Sequence, residues 1–309
     1  MAKKKNSNNS VSYAKWGYIF IIPFFVVYFI FTLYPQLLTF YNSLFENYMD
    51  GLTHVGPNFV GLGNFVKLFS KDATGSITIL KYCGNTIILW ILGAIPQFLI
   101  ALLLALLFTS TRLNIKCQGL FKAVIYMPNL IMAAAFAMLL FGLFGNTGPI
   151  NKIMVDSFGM QPFDFLAHKV SVRGLIALMN FLMWFGNTTI LLMAGIQGID
   201  ECLFESARID GASSRRVFFD ITLPLLKPIL IYVAITSMIG GLQMYDVPQV
   251  LTNGHGMPDN TSSTMVMLLN KYLNPSRNYG MSGAISVLLF ILTGILSIIV
   301  FKITSTNKD

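Results

Sequence analysis

Glu205-Ser206-Ala207-Arg208-Ile209-Asp210-Gly211-Ala212, continuing through Ser213-Ser214-Arg215-Arg216-Val217-Phe218, is a charged island in an apolar chain. It holds three of the six arginines, and long apolar runs flank it on both sides. Local chemistry predicts a short helix over 199–210. Asp200 suits its N-cap, Glu201 sits in the first turn, and Gly211 is placed to end it. Leu203 and Ala207, four residues apart, fall on one face. Ser206 and Ala207 are small enough for another backbone to approach closely. Ser213 or Ser214 can cap a second short helix through Val217, Phe218 and Phe219, with Pro224 beyond. The expectation is a helix–turn–helix plug spanning 200–220 that projects from a membrane.

The membrane follows from composition. Hydrophobic residues make up 55% of the 309-residue chain and charged residues 11%, against roughly 25% charged in soluble domains. Mean hydropathy is +0.67. Six apolar runs of a length that crosses a bilayer are expected at about 16–34, 83–108, 123–144, 174–197, 228–245 and 281–301. The expected class is therefore an all-α, six-span membrane protein, with the transmembrane domain at 16–301 and short tails at 1–15 and 302–309. Trp16, Tyr18 and Tyr34 suit interfacial belts, and Pro35 is read as closing span one. No small-residue cleavage site follows that span, so it is read as retained. The segments 36–82, 145–173 and 246–280 read as loops.

Charge bias orients the spans. With the N-terminus in the cytoplasm, the inner segments hold Lys3, Lys4, Lys5, Lys15, Arg112, Lys116, Lys122, Arg208, Arg215, Arg216, Lys227, Lys302 and Lys308. The outer loops hold the other eight basic residues. This is the positive-inside pattern. It places both termini and the 200–220 segment in the cytoplasm and accounts for the net charge of +8 without nucleic acid.

None of the six expected spans contains Lys, Arg, Asp, Glu or His. Such residues mark proton relays and ion paths, so ion coupling and charged cargo are disfavoured. Neutral polar residues interrupt the spans instead, among them Asn85, Thr86, Gln97, Asn180, Asn187, Thr188, Thr189, Thr236, Ser237 and Gln243. The sequence has no HExxH, no GxSxG and no GxxxxGK[ST] loop. No catalytic residue, cofactor or metal is expected, and energy for active transport has to come from another subunit. Cys83, Cys117 and Cys202 have no metal or disulfide spacing.

On these residues the chain resembles a known family. Glu205-Ser206-Ala207-Arg208-Ile209-Asp210-Gly211-Ala212, followed by Phe218, Leu223-Pro224-Leu225 and Pro228, is similar to the EAA motif of binding-protein-dependent ABC importer permeases, with Ser206 replacing an alanine. Phe59-Val60-Gly61-Leu62-Gly63-Asn64-Phe65, Asn85-Thr86, Phe121-Lys122-Ala123, Gly148-Pro149-Ile150-Asn151 and Leu251-Thr252-Asn253-Gly254 look like the carbohydrate-uptake subgroup. Within it they look like the larger maltose-transporter-type membrane subunit. That subunit's additional N-terminal spans and large external insertion are not carried over, and His255 replaces a glycine common in its loop.

The resemblance implies that Glu205, Ser206, Ala207, Arg208, Asp210 and Gly211 form a coupling helix seated in a cytoplasmic ATP-binding subunit. It also implies a second permease subunit completing a heterodimer, an extracellular solute-binding protein and a sugar substrate. Two substrate-path stretches are expected. Asn180, Trp184 and Asn187 share one helical face, where amides and an indole suit a sugar. Gly240, Gln243, Met244 and Tyr245, with Ser237 and Gly241, form the second. Asn and Thr here can also simply hold helices together. The alternatives are a permease for another neutral or polyol-type solute, a passive channel, or a structural subunit in membrane lipid.

Overall fold

The computed structural model describes residues 14–71, 75–110, 113, 116–274 and 276–305. The basic residues Lys3, Lys4, Lys5, Arg112 and Lys308 lie outside them. Six helical stretches among the described residues are long and apolar enough to cross a membrane: Lys15–Ser43, Thr78–Thr109, Ala133–Phe158, Lys169–Gln197, Ser214–Leu251 and Tyr279–Ile303.

The centre of the fold is the pairing of α4 (Thr78–Thr109) with α8 (Lys169–Gln197). Along α4, Asn85, Leu89, Gly93, Gln97, Ala101 and Ala105 recur every fourth residue and are all buried. Such a stripe lies along one face of a helix, and its small members let a second backbone come close. The contacts advance together along both helices. Arg173 Nη2 donates to Asn85 Oδ1 at 2.6 Å, Asn180 lies over Gly93, and Gln97 Nε2 donates to Thr188 Oγ1 at 2.8 Å. Ala101 and Ala105 then share a core with Leu192, Met193 and Ile196. The helices therefore run parallel, as a second and a fourth span must.

A polar clamp closes one end of this pair. Arg173 Nε also donates to the Thr261 carbonyl at 3.0 Å. Asn85 Nδ2 donates to the Asn260 carbonyl at 2.8 Å, and Thr86 Oγ1 accepts from Met265 N at 3.0 Å. The loop ahead of α13 (Met265–Leu273) is thereby tied to both central helices. Arg173 lies one residue outside the expected span four, yet inside the helix.

Four features differ from the sequence expectation. The chain is not purely helical: β1 (Phe45–Asp50) and β2 (Thr53–Phe59) form an antiparallel hairpin in the expected first loop. Phe45 packs edge-on to Phe59 at 5.3 Å, and α3 (Gly63–Phe69) follows. Second, Pro35 does not end the first helix. α1 (Ala14–Tyr28) passes through a π-helical turn, Phe29–Leu33, into α2 (Tyr34–Ser43).

Third, the second helix of the 200–220 segment is not separate. α10 (Ser214–Arg216) continues through a π-helical turn, Val217–Thr222, into α11 (Leu223–Leu242). In both helices the wide turn ends two residues before a proline. Within the Val217–Thr222 turn the Thr222 hydroxyl donates to the Val217 carbonyl at 3.3 Å. Fourth, the expected span 123–144 is broken. α5 (Gln118–Tyr126) gives way at Pro128 to a 3₁₀ turn, Met127–Leu130, before α6 (Ala133–Phe144). Proline lacks the amide that would continue the helix. The apolar stretch instead runs on into α7 (Pro149–Phe158).

α5 crosses α8 at Gly186, where an added Cβ would collide with the Ile125 carbonyl. Backbone on both sides leaves nothing to move aside. Gly186→Val is expected to lower stability by about 1–3 kcal/mol, the usual cost of overpacking, read as a lower melting temperature of the detergent-purified chain.

Candidate functional sites: the α9 surface helix and the inter-helical cavity

α9 (Glu201–Ile209) bridges α8 and the 214–242 helix with only a few residues at either end. Asp200 caps it, accepting from Cys202 N at 3.0 Å. At the other end Gly211 has φ +71°, a left-handed conformation that L side chains rarely adopt. Gly211 N donates to the Arg208 carbonyl at 3.1 Å and Ala212 N to the Ala207 carbonyl at 2.9 Å. This pair of bonds is the Schellman ending. Both termini are therefore built from local chemistry, as the sequence suggested.

Five of the six expected contact residues lie on the exposed side of α9, and Ala207 is the exception. Ala207 is buried in this chain, whereas Leu203, Glu205, Ser206, Arg208, Ile209, Asp210 and Gly211 are exposed. Ala207 therefore seats α9 on its own subunit and leaves the proposed contact set. Ile209, 86% exposed, is an apolar side chain at the outer surface that the sequence reading passed over. The Ser206 hydroxyl donates back to the Cys202 carbonyl at 2.8 Å, so it is already satisfied. Beneath α9 lies a cavity of about 400 Å³ lined by Phe204 and Arg208, the ends of α4 and α8, and Val217 and Phe218.

A second cavity, of about 150 Å³, lies between α4, α8 and α11. Asn180, Trp184 and Asn187 line it together, so the expected helical face is assembled. From α11 come Tyr232, Thr236, Ser237, Gly240 and Gly241, and from α4 comes Gln97. An added Cβ at Gly240 would meet only open space, whereas one at Gly241 would strike the Trp90 ring. Gly240 thus leaves room in the cavity and Gly241 admits a neighbouring helix.

The rest of the second expected stretch lies elsewhere. α11 stops at Leu242, and the turn sends the next three side chains different ways. Gln243 faces a groove with Val266, Ser286 and Phe290. Met244 enters the core beside Leu89 and Met183. Tyr245 lines a third cavity with Tyr82, Gln249 and His255, its hydroxyl accepting from Asn270 Nδ2. Sequence reasoning also missed Gln97 and Tyr232 as cavity residues. Gln97 was legible as a polar interruption of a span, but its partners lie about 90 residues away.

Comparison with known proteins places this geometry. The model of the binding-protein-dependent transport system inner membrane component matches residues 18–306. The chain belongs to that family. It is accordingly a multi-pass inner-membrane permease of a transport system that depends on a binding protein, and it carries no catalysis of its own. The permease is 30% identical to the arabinooligosaccharides transport system permease protein AraP of Bacillus subtilis (strain 168), over 99% of this chain and 95% of that one. It is 27% identical to the lactose transport system permease protein LacF of Rhizobium radiobacter over the full length of both. In fold, it resembles a chain of a bacterial ABC transporter that imports the acidic polysaccharide alginate. There the TM-score is 0.75 at 18% identity, covering 96% of each chain. The permease thus has the ABC importer fold.

Asp200 has a second effect on α9 besides capping it. Its hydrogen bond to, and negative charge beside, the exposed Cys202 thiol raise that thiol's pKa above the ordinary value. Removing the carboxylate lowers the pKa and enlarges the thiolate fraction. Asp200→Ala is therefore expected to speed alkylation of Cys202 by iodoacetamide at pH 8, followed by mass spectrometry. The lost cap should also weaken α9 by about 1 kcal/mol.

Proposed function

We propose that this permease imports a neutral di- or oligosaccharide, with α9 as the coupling helix that receives the movement of a cytoplasmic ATP-binding subunit. A second permease subunit completes the pathway, and an extracellular solute-binding protein delivers the sugar. Both termini lie in the cytoplasm. The observation that carries the reading is the attachment of α9, which joins α8 and the 214–242 helix, the two helices that supply most of the cavity wall.

A force on α9 reaches the cavity through both helices. Asn187 and Gln197 are ten residues apart on α8, about 15 Å along the axis. α4 is clamped to α8 and supplies Gln97 from the third side. Docking uses the exposed Leu203, Glu205, Ser206, Ile209 and Asp210, with Gly211 shaping the turn. Glu205, Arg208 and Asp210 supply charges for the rim of the partner's cleft. The outward side chains of the first span, such as Phe20 and Phe31, which are more than 70% exposed here, meet lipid and the second permease.

The chemistry of the cavity supports the sugar. Asn180, Asn187 and Gln97 present amides, Thr236 and Ser237 present hydroxyls, and Trp184 and Tyr232 present aromatic surface. Sugar hydroxyls need paired donors and acceptors, and the pyranose C–H face stacks on a ring. No Lys, Arg, His, Asp or Glu among the described residues lines this cavity, which suits uncharged cargo. The names of the lactose and arabinooligosaccharide relatives agree with this class.

Three measurements test the reading. In a variant retaining only Cys202, a membrane-impermeant maleimide should label inside-out vesicles and spare right-side-out cells; the reverse would invert the topology. In the assembled transporter, Glu205→Lys or Gly211→Pro should cut ATP-driven uptake at least tenfold and weaken co-purification of the ATP-binding subunits. Wild-type uptake and co-purification in both variants would rule out the coupling role. Asn180→Ala and Trp184→Ala should each lower sugar uptake by about tenfold, about the worth of one lost contact, without loss of assembly.

A further inference from the structure

Gln97 is the anomaly in the buried stripe of α4. Its neighbours along the stripe are Gly93 on one side and Ala101 on the other, residues that serve close helix packing. A buried amide is costly unless its hydrogen bonds are made, and packing alone asks only for another small residue here. Gln97 is 2% exposed. Its Nε2 donates to Thr188 Oγ1, yet its Oε1 is buried without a hydrogen-bond partner among the described residues. The same side chain lines the cavity with Asn180, Trp184 and Asn187. Exchanging the amide's O and N changes which atom is left over but not the fact that one is.

We infer that Gln97 is a specificity-determining residue whose free amide atom pairs with one hydroxyl of the transported sugar. The inference rests on the proposed sugar-import function and names a contact from α4, a helix that neither expected substrate stretch includes. Thr188 accepts from the amide's other end and so fixes the plane of the side chain. Asn180, seated over Gly93 one turn away, presents a second amide to the same cavity. Together they form an amide pair on α4 and α8 opposite the hydroxyls of α11. A sugar lacking the hydroxyl that faces Gln97 would leave the amide unpaired in a buried site, and discrimination is strongest in that situation.

The test uses the complete transporter in proteoliposomes with its binding protein. Radiolabelled lactose, maltose, trehalose and arabinotriose are screened for uptake. Monodeoxy analogues of the best substrate are then compared in the wild type and in Gln97→Leu. In the wild type, one analogue should be transported about tenfold less efficiently than its parent, the size expected for a single hydrogen bond. In Gln97→Leu that ratio should fall to near one while the penalties at other hydroxyls stay. A purely structural Gln97 would lower uptake of all analogues alike and leave every ratio unchanged, and that result overturns the assignment. Should Gln97→Leu fail to assemble, Gln97→Met, unbranched and closer in shape, carries the same comparison. If the wild type takes up none of the four sugars, the sugar reading itself falls and the Gln97 contact falls with it. Uptake with unaltered ratios in the variant removes only the Gln97 contact.

Discussion

The parallel seam between α4 and α8 is the contact on which the remainder of this permease depends. Lipid tails are as apolar as leucine side chains, so burying hydrocarbon gives two helices little reason to associate in a bilayer. Close approach has to come from small residues and from hydrogen bonds that lipid cannot replace. α4 supplies both on one face, with Gly93, Ala101 and Ala105 for approach and Asn85 and Gln97 for bonding. The polar members also set the register. A slip of one turn would leave the Arg173–Asn85 and Gln97–Thr188 pairs unmade in a medium with no water to replace them.

Function is built outward from that seam. The Arg173 clamp ties the 252–264 loop to one end of it. α9 hangs from the other end, seated by Ala207 and closed by the Schellman bonds at Gly211. Between the two, the seam opens against α11 into a cavity lined by amides, hydroxyls and two aromatic rings. α9 joins α8 and the 214–242 helix, and both line that cavity, which is the basis of the proposed coupling. The proposed binding and coupling residues are neighbours through shared helices although their side chains do not touch.

Proline misled the reading of helix ends for a definite reason. Within a regular α-helix the pyrrolidine ring clashes with the preceding turn and removes a bond, so Pro35 and Pro224 read as stops. Here each follows a π-helical turn, Phe29–Leu33 and Val217–Thr222, and the helix continues. Pro128 has the opposite outcome: it lies within a 3₁₀ turn, Met127–Leu130, and Ile131 beyond it is extended, so the helix breaks. Nothing in the residues beside each proline separates these cases.

Local chemistry alone determined the class of the protein, the caps of α9 and the shared face of Asn180, Trp184 and Asn187. Hydropathy, capping and helical period act within a few residues, so they are visible in a string of letters. The EAA-like stretch added the family, which the match over residues 18–306 then showed. Only the tertiary structure decided which side of α9 is free, because the burial of Ala207 depends on how the helix packs. Only it separated Gln243, Met244 and Tyr245 from the cavity, since α11 ends at Leu242 and the turn scatters them. It also brought Gln97 to Thr188 across about 90 residues of sequence, a meeting that depends on how two helices pack and that neither helix encodes alone.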